Sequence, residues 1–304
     1  MNGPAWLDRT AYPFDSHVLK LDAGRMHYLD EGDGPPVLLV HGTPTWSFLY
    51  RHIVAALRPR FRCIVPDHIG FGLSDKPPDW TYRPADHARN LRMLIEHLNL
   101  RDFTLVVHDF GGPIGLPYAI ERPDNVKRLV LFNTFMWSIR ADAAKRRPAQ
   151  LFSTALGRLL YLRLNFSPRV ILPAAWGDKR TLTPDVRRHY TAVHQQPDER
   201  HGMWGFAREL LGSSDWFDGL WARRDRIKDI PALLLWGMKD PAFTPQDLAR
   251  WQALFTNAQT RTFPNVGHFV PDEAGSAAAQ EIMTFLTNRA PEAHEQTMLY
   301  SGVE

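Results

Sequence analysis

The chain has 304 residues, long enough to bury a large core in one elaborated domain or two modest ones. Apolar residues at 44% and charged residues at 23% are those of an ordinary folded protein, and a formal charge of +3 is too small to point to nucleic acid. A single cysteine, Cys63, excludes a disulfide framework and a thiolate metal cluster. The arginine pairs at 146–147, 187–188 and 223–224 are scattered and read as solvated surface. The first residues, MNGPAWLDRTAYPF, lack the charged-then-apolar pattern of a signal segment, and no stretch approaches about 18 uninterrupted apolar residues. The expectation is a cytoplasmic protein without membrane or nucleic-acid partners, either monomer or homodimer.

Residues 17–31 alternate in polarity around an Ala-Gly turn and predict a hairpin. The run PVLLV at 36–40 is continuously apolar, as a strand covered on both faces must be. It ends in the loop His41-Gly42-Thr43-Pro44-Thr45-Trp46, and a helix is expected from Phe48 to Leu57. A strand over 61–65 follows, then an amphipathic helix opened by Pro84, with Leu91, Leu94, Ile95 and Leu98 at helical spacing. Further strands are expected at 103–109, 128–132, 232–236 and 259–263, with helices to about Ile120 and near 246–254 and 276–287. Strands of buried type alternating with helices imply an α/β fold with a mostly parallel sheet covered on both sides.

The interval 138–228 breaks this rhythm. It is rich in aromatics and helical patches but holds no convincing strand. The expected organisation is a core from 1–137 and 229–304, with 138–228 as an inserted helical cap over the carboxyl ends of the strands, where ligands of open parallel sheets bind. A polar tail begins at Pro291.

The stretch FTLVVHDFGGPIG at 103–115 organises the rest. A Val and Leu run ends abruptly at His108-Asp109, and two glycines follow at once. The outline is that of a nucleophile elbow, usually G-x-S-x-G, with Asp109 where serine would stand and Val107 replacing the first glycine. Taken alone, Asp109 reads equally well as an N-cap accepting an orphan N–H of the next helix. Two further residues shift that balance. Asp240 follows the strand ALLLWG, and His268 follows the strand TRTFP. Each of the three stands just past its own parallel strand, in the chain order nucleophile, acid, histidine of an α/β-hydrolase. Turn formation explains any one of them, but not all three together.

The segments HGTPTWSFLYR, PDHIGFGLSDKP, VVHDFGGPIGL, LLLWGMKDPAF and PNVGHFV together resemble the haloalkane dehalogenases of the α/β-hydrolase superfamily, over roughly residues 15–290. The resemblance implies Asp109 as nucleophile, His268 as base and Asp240 as its acid partner, with Asn133 instead of a carboxylate after the strand before the insertion. It puts the oxyanion donors on the backbone N–H groups of Thr43 and Phe110. It implies a small apolar substrate and neither metal nor organic cofactor. A carboxylate suits displacement at saturated carbon, since it leaves an ester that water can hydrolyse.

The chain also departs from that family. The residue after the nucleophile there is a tryptophan whose indole N–H binds halide; here it is Phe110, which has no donor. The second donor there is usually an Asn two residues after the loop His, or a tryptophan in the insertion; the loop position here is Thr43, whose hydroxyl can donate once. Trp176 and Trp204 are candidates for a replacement indole, and Trp46 and Trp137 for pocket lining or core. Epoxide hydrolysis, with Tyr161 or Tyr190 holding the alkoxide, is the main alternative, and a catalytically silent ligand-binding member of the fold is another. An arginine after the nucleophile, needed for a fluoroacetate-type substrate, is absent. Ser74 lacks the elbow context of a serine esterase. His41 and His108 are expected to bond locally, and Pro117 to kink or loosen the helix after the elbow at 113–117, where it removes a backbone bond.

Overall fold

The computed structural model describes residues 4–288; the tail from Pro291 lies outside the described residues. Eight strands form one sheet in the order β1-β2-β4-β3-β5-β6-β7-β8. The strands are β1 His17–Leu21, β2 Gly24–Glu31, β3 Pro36–Val40, β4 Arg62–Pro66, β5 Phe103–Asp109, β6 Val126–Thr134, β7 Ala232–Gly237 and β8 Gln259–Phe263. The hairpin β1–β2 pairs antiparallel internally and against β4; every pairing from β4 through β8 is parallel.

The continuous apolar strands split by alternation between two cores. Leu38, Val40, Leu105, Val107, Leu129, Leu131, Leu234 and Trp236 face one core. Val37, Leu39, Val106, Val130, Phe132, Leu233 and Leu235 face the other. A period of two on strands buried from both sides requires this division. Helices α1 Arg51–Leu57, α2 Pro84–His97 and α3 Gly111–Glu121 cover the first half of the sheet. Helix α3 runs through Pro117, which has no N–H to donate to the Pro113 carbonyl.

Between β6 and β7 the described chain is helical: α4 Ala143–Phe152, α5 Ala155–Leu164, a π-helical turn Ser167–Ile171, α6 Leu172–Ala175, α7 Pro184–Ala192, α8 His201–Gly212 and α9 Ser214–Ala222. Local signals start several of them. Asp142 and Thr154 cap the first turns of α4 and α5 with side-chain oxygens, and Asn165 ends α5 in the left-handed conformation. After β7 come α10 Pro245–Leu254, α11 Val270–Glu273 and α12 Gly275–Thr287. The carboxyl ends of β3, β5, β6, β7 and β8 therefore open on the same side of the sheet, the side on which parallel sheets carry ligands.

Candidate active site

Asp109 closes β5 with φ of +52°, a left-handed conformation that costs a non-glycine residue energy and is held here by its surroundings. The carbonyl of Asp109 accepts from Thr134 Oγ1 at 2.5 Å, which ties the turn to β6. Gly42 is obligatory beside it, since a Cβ there would stand 2.1 Å from Asp109 Oδ1. Gly111 lets α3 start directly under β3, where a Cβ would meet the Val40 carbonyl at 2.1 Å. The turn thus lifts the carboxylate above the strand ends instead of folding it back as a helix cap; no side chain caps α3.

The structure brings Asp109, His268, Asp240 and the Thr43 backbone together. Asp109 Oδ1 accepts the Thr43 N–H at 2.8 Å, and Asp109 Oδ2 faces His268 Nε2 at 3.6 Å. His268 Nδ1 meets Asp240 Oδ2 at 2.7 Å. Asp240 is held in turn by Asn133 Nδ2 at 2.8 Å and by the Ala242 N–H at 2.7 Å. Asn133 also takes the Gly237 N–H and donates to the Gly237 carbonyl, so it is locked to the end of β7.

Electrostatics follow from this packing. Burial pushes the Asp109 carboxyl up, with His268 and the N–H groups of Thr43 and Phe110 pulling it back. For His268 burial acts downward, but the carboxylates of Asp240 and Asp109 outweigh it and the imidazole is raised above its ordinary value. The His268 backbone is pinned from both sides: its N–H donates to the Ala175 carbonyl at 2.9 Å, and its carbonyl faces His108 Nε2 at 2.9 Å. Glu273 accepts the N–H groups of Gly267, Phe269 and Gly177, closing the loop beneath the imidazole. His41 bonds within its own loop, through Nδ1 to the Gly42 carbonyl at 2.7 Å.

Aromatic rings wall the site. Phe206 of α8 stacks on Phe110 at 4.4 Å, Phe135 meets Phe110 edge-on at 5.3 Å, and Phe243 stacks on His268 at 5.4 Å. Sequence reasoning missed all three, since apolar residues at ordinary spacing carry no mark of which cavity they face. Two hydroxyls remain. Thr43 Oγ1 is buried with no hydrogen-bond partner. Tyr161 of α5 is buried, and burial followed by the nearby Asp109 carboxylate raises its phenol, while Ser167 acts in the opposite sense.

The other expected pocket residues are placed differently. The indole N–H of Trp46 donates to the His189 carbonyl at 3.2 Å, that of Trp176 to Thr181 Oγ1 at 2.8 Å and that of Trp204 to the Phe152 carbonyl at 3.2 Å. Each already has an acceptor, so none is a free donor for a leaving group. Trp46 and Trp176 pack in the core on the opposite side from Phe110. Trp137 packs against Trp221 and Trp251 under the Arg250 guanidinium. Tyr190 is likewise committed, donating to Asp272 Oδ2 at 2.6 Å.

A family model described as the alpha/beta hydrolase fold matches residues 35–274. Haloalkane dehalogenase 2 of Mycobacterium tuberculosis is 38% identical over 282 residues, covering 91% of this chain and 96% of that one. A cis-3-alkyl-4-alkyloxetan-2-one decarboxylase of Shewanella oneidensis is 34% identical over 291 residues, covering 91% and 90%. Among solved structures, the haloalkane dehalogenase DatA from Agrobacterium tumefaciens C58 superposes with a TM-score of 0.81 at 26% identity, covering 90% of this chain and 96% of that one. Sequence, sheet order and site geometry agree, and the chain belongs to the alpha/beta hydrolase fold family as a haloalkane dehalogenase-like member.

Proposed function

We propose that this protein hydrolyses the carbon–halogen bond of small apolar haloalkanes through an alkyl ester on Asp109. One observation carries the reading: the Asp109 carboxylate has one oxygen fixed by a backbone N–H and the other turned toward an imidazole that Asp240 orients. Asp109 Oδ2 attacks the halogen-bearing carbon, the carbon–halogen pair leaves as halide, and an ester forms. Oδ1 then becomes the ester carbonyl oxygen, already lying on the Thr43 N–H. His268 Nε2 takes a proton from a water that attacks the Asp109 carbonyl carbon. The tetrahedral oxyanion develops on Oδ1, where each pre-placed donor is worth roughly 3 kcal/mol. Collapse releases the alcohol and restores the carboxylate, and Asp240 stabilises the imidazolium in between. No metal or organic cofactor enters this cycle. The helices between β6 and β7 act as its cap, with Phe206 excluding water from the carboxylate.

Halide needs a donor in so dry a pocket. Phe110 offers none, and the indole N–H groups of Trp46, Trp176 and Trp204 are taken. The unpaired Thr43 hydroxyl and the Tyr161 phenol are the donors left to receive it. The same pair favours a second reading, opening of a strained oxygen ring, in which a tyrosine hydroxyl suits a departing oxyanion better than a halide. That class includes epoxides and, by likeness to the decarboxylase relatives, oxetanones. In an oxetanone, attack of Asp109 at the ring carbon bearing oxygen frees a carboxylate; loss of carbon dioxide with departure of Asp109 then gives an alkene without water.

The test is intact mass of a His268→Gln variant incubated separately with bromoalkanes, epoxides and a cis-dialkyl oxetanone. The proposal expects an alkyl adduct on Asp109 from bromoalkanes, stalled for want of the base. Cys63 is buried and its thiol is pushed up to about 12, so it does not compete for alkylation. A hydroxyalkyl adduct from epoxides alone, or continued alkene release from the oxetanone alone, moves the function to the second reading. No adduct and no product from a folded variant leaves the silent scaffold.

A further inference from the structure

The outer face of the cap is unusual. Seven large apolar side chains are exposed among the described residues, and five of them, Leu151, Leu156, Leu159, Leu164 and Val170, fall within twenty positions. Scattered exposed leucines need no explanation, whereas clustered ones do. In α5 the helical period gathers Leu156, Leu159, Leu160, Arg163 and Leu164 into an arc of about 140°. The reverse side buries Gly157, Tyr161 and Leu162. Leu156, Leu159 and Leu164 are 53%, 51% and 55% exposed, although sheet and neighbouring helices were at hand to cover them.

Charge on this stretch runs one way. From Ala143 to Gly177 there are six basic residues and no Asp or Glu. Lys145 is neutralised by Asp247 at 2.6 Å, but Arg163 and Arg169 make no ion pair with a carboxylate of the described residues. Arg187 donates to the Arg169 carbonyl at 3.1 Å and lines one groove with Arg169 and Arg188.

We propose that this face, α5 with Leu151 and the turn bearing Val170, docks on the surface of an anionic lipid bilayer. The leucines enter the headgroup boundary and the arginines meet lipid phosphates, the division of labour of an interfacial amphipathic helix. A second copy of the chain is the poorer occupant, because it would set a face with net positive charge, on which Asp185 offsets only Arg188, against itself. The contact is peripheral: no helix among the described residues is long and apolar enough to cross a membrane. This overrides the sequence expectation of no membrane partner, which rested on signal segments and spans rather than on surface leucines. It goes beyond the proposed chemistry and stands without it, but the two fit. Helix α5 turns its leucines outward and Tyr161 inward toward Asp109, so one helix separates the bilayer, where apolar substrates concentrate, from the site.

The test is sedimentation of the full chain with extruded vesicles of phosphatidylcholine containing a quarter phosphatidylglycerol, against phosphatidylcholine alone. Partitioning should be about tenfold stronger on the anionic vesicles, and Arg163→Glu with Arg169→Glu should remove that gain. Leu156→Ser with Leu159→Ser should weaken binding to both by about tenfold, since each leucine contributes buried apolar area. Both double variants should retain the helical circular dichroism and, with a water-soluble bromoalkane, the wild-type turnover. Failure of the wild type to bind anionic vesicles overturns the proposal, as does binding that neither double variant changes. If light scattering instead shows self-association that the leucine pair abolishes, without vesicle binding, the face is an interface between copies.

Discussion

Asp109 and Thr43 are neighbours in space with opposite hydrogen-bond situations. The carboxylate is surrounded by partners, while the Thr43 hydroxyl is buried with none. A buried unpaired hydroxyl costs stability, so a role in receiving the leaving group would account for its retention. Thr43→Val tests this because it keeps the shape and the backbone N–H. We expect thermal stability to rise by about 1 kcal/mol and the rate of bromoalkane turnover to fall about tenfold or more. A variant that gains stability without losing rate would assign the leaving group to Tyr161 alone. On the proposed chemistry, the raised His268 pKa sets the acid limb of the reaction. Only neutral imidazole can accept the proton from water, so ester hydrolysis should increase as pH rises through a midpoint above the ordinary 6.5. Asp240→Asn removes the main cause of that shift, and the midpoint in the surviving activity should move down. An unmoved midpoint would mean that another group titrates.

At the scale of elements, the loops after the strands decide where the side chains stand, and those loops are fastened by charges that hydropathy patterns do not show. Asp272 of α11 accepts both guanidinium N–H groups of Arg51 from α1 at 2.7 Å and the Tyr190 hydroxyl from α7. Core, loop and insertion meet at this one buried carboxylate. Asp272→Ala leaves the Arg51 cation buried and unpaired, which should cost about 3–5 kcal/mol in urea unfolding. A loss under 1 kcal/mol would show that the arginine escapes to water. The alternating strands, the elbow and the order Asp109, Asp240, His268 were legible because each is a local pattern with a physical cause. The places of Tyr190, Trp46, Trp176 and Trp204 were not legible, for the opposite reason. Their donors are claimed by Asp272, Thr181 and distant carbonyls, and only three-dimensional proximity reveals such claims.

Across the whole molecule, the sheet separates two cores, and the stretch 138–228 contributes to both: Tyr161, Phe206 and Phe217 pack in the one that contains Phe110, Leu172, Trp176 and Tyr190 in the other. Phe206 on Phe110 and Phe217 on Phe135 join this stretch to the sheet through rings, and Lys145 joins it to Asp247 of α10 through charge. Replacing 138–228 by a short glycine-serine linker should therefore yield a chain that exposes Phe110, Phe135 and Phe243. A sharp rise in binding of an apolar fluorescent dye is expected, with loss of turnover. Unchanged dye binding would mean that the sheet face repacks on its own. The sheet topology was readable because parallel strands buried on both sides leave an unbroken apolar trace. The lie of the insertion was not, because helical patches without strands give no register against which to place them.

Strand β8 is the last of the sheet, and most of its side chains are exposed. Asp109 stands on β5, deep in the middle, while His268 stands in the loop that this edge strand leads into. On the proposed chemistry the two halves of the cycle thus rest on parts of unequal durability. If the rim peels away while the centre holds, the molecule can still be alkylated but cannot free itself. Each such lapse with substrate present holds the molecule as its ester until the strand pairs again. The share of time one molecule spends stalled is then set by how firmly an edge strand stays zipped.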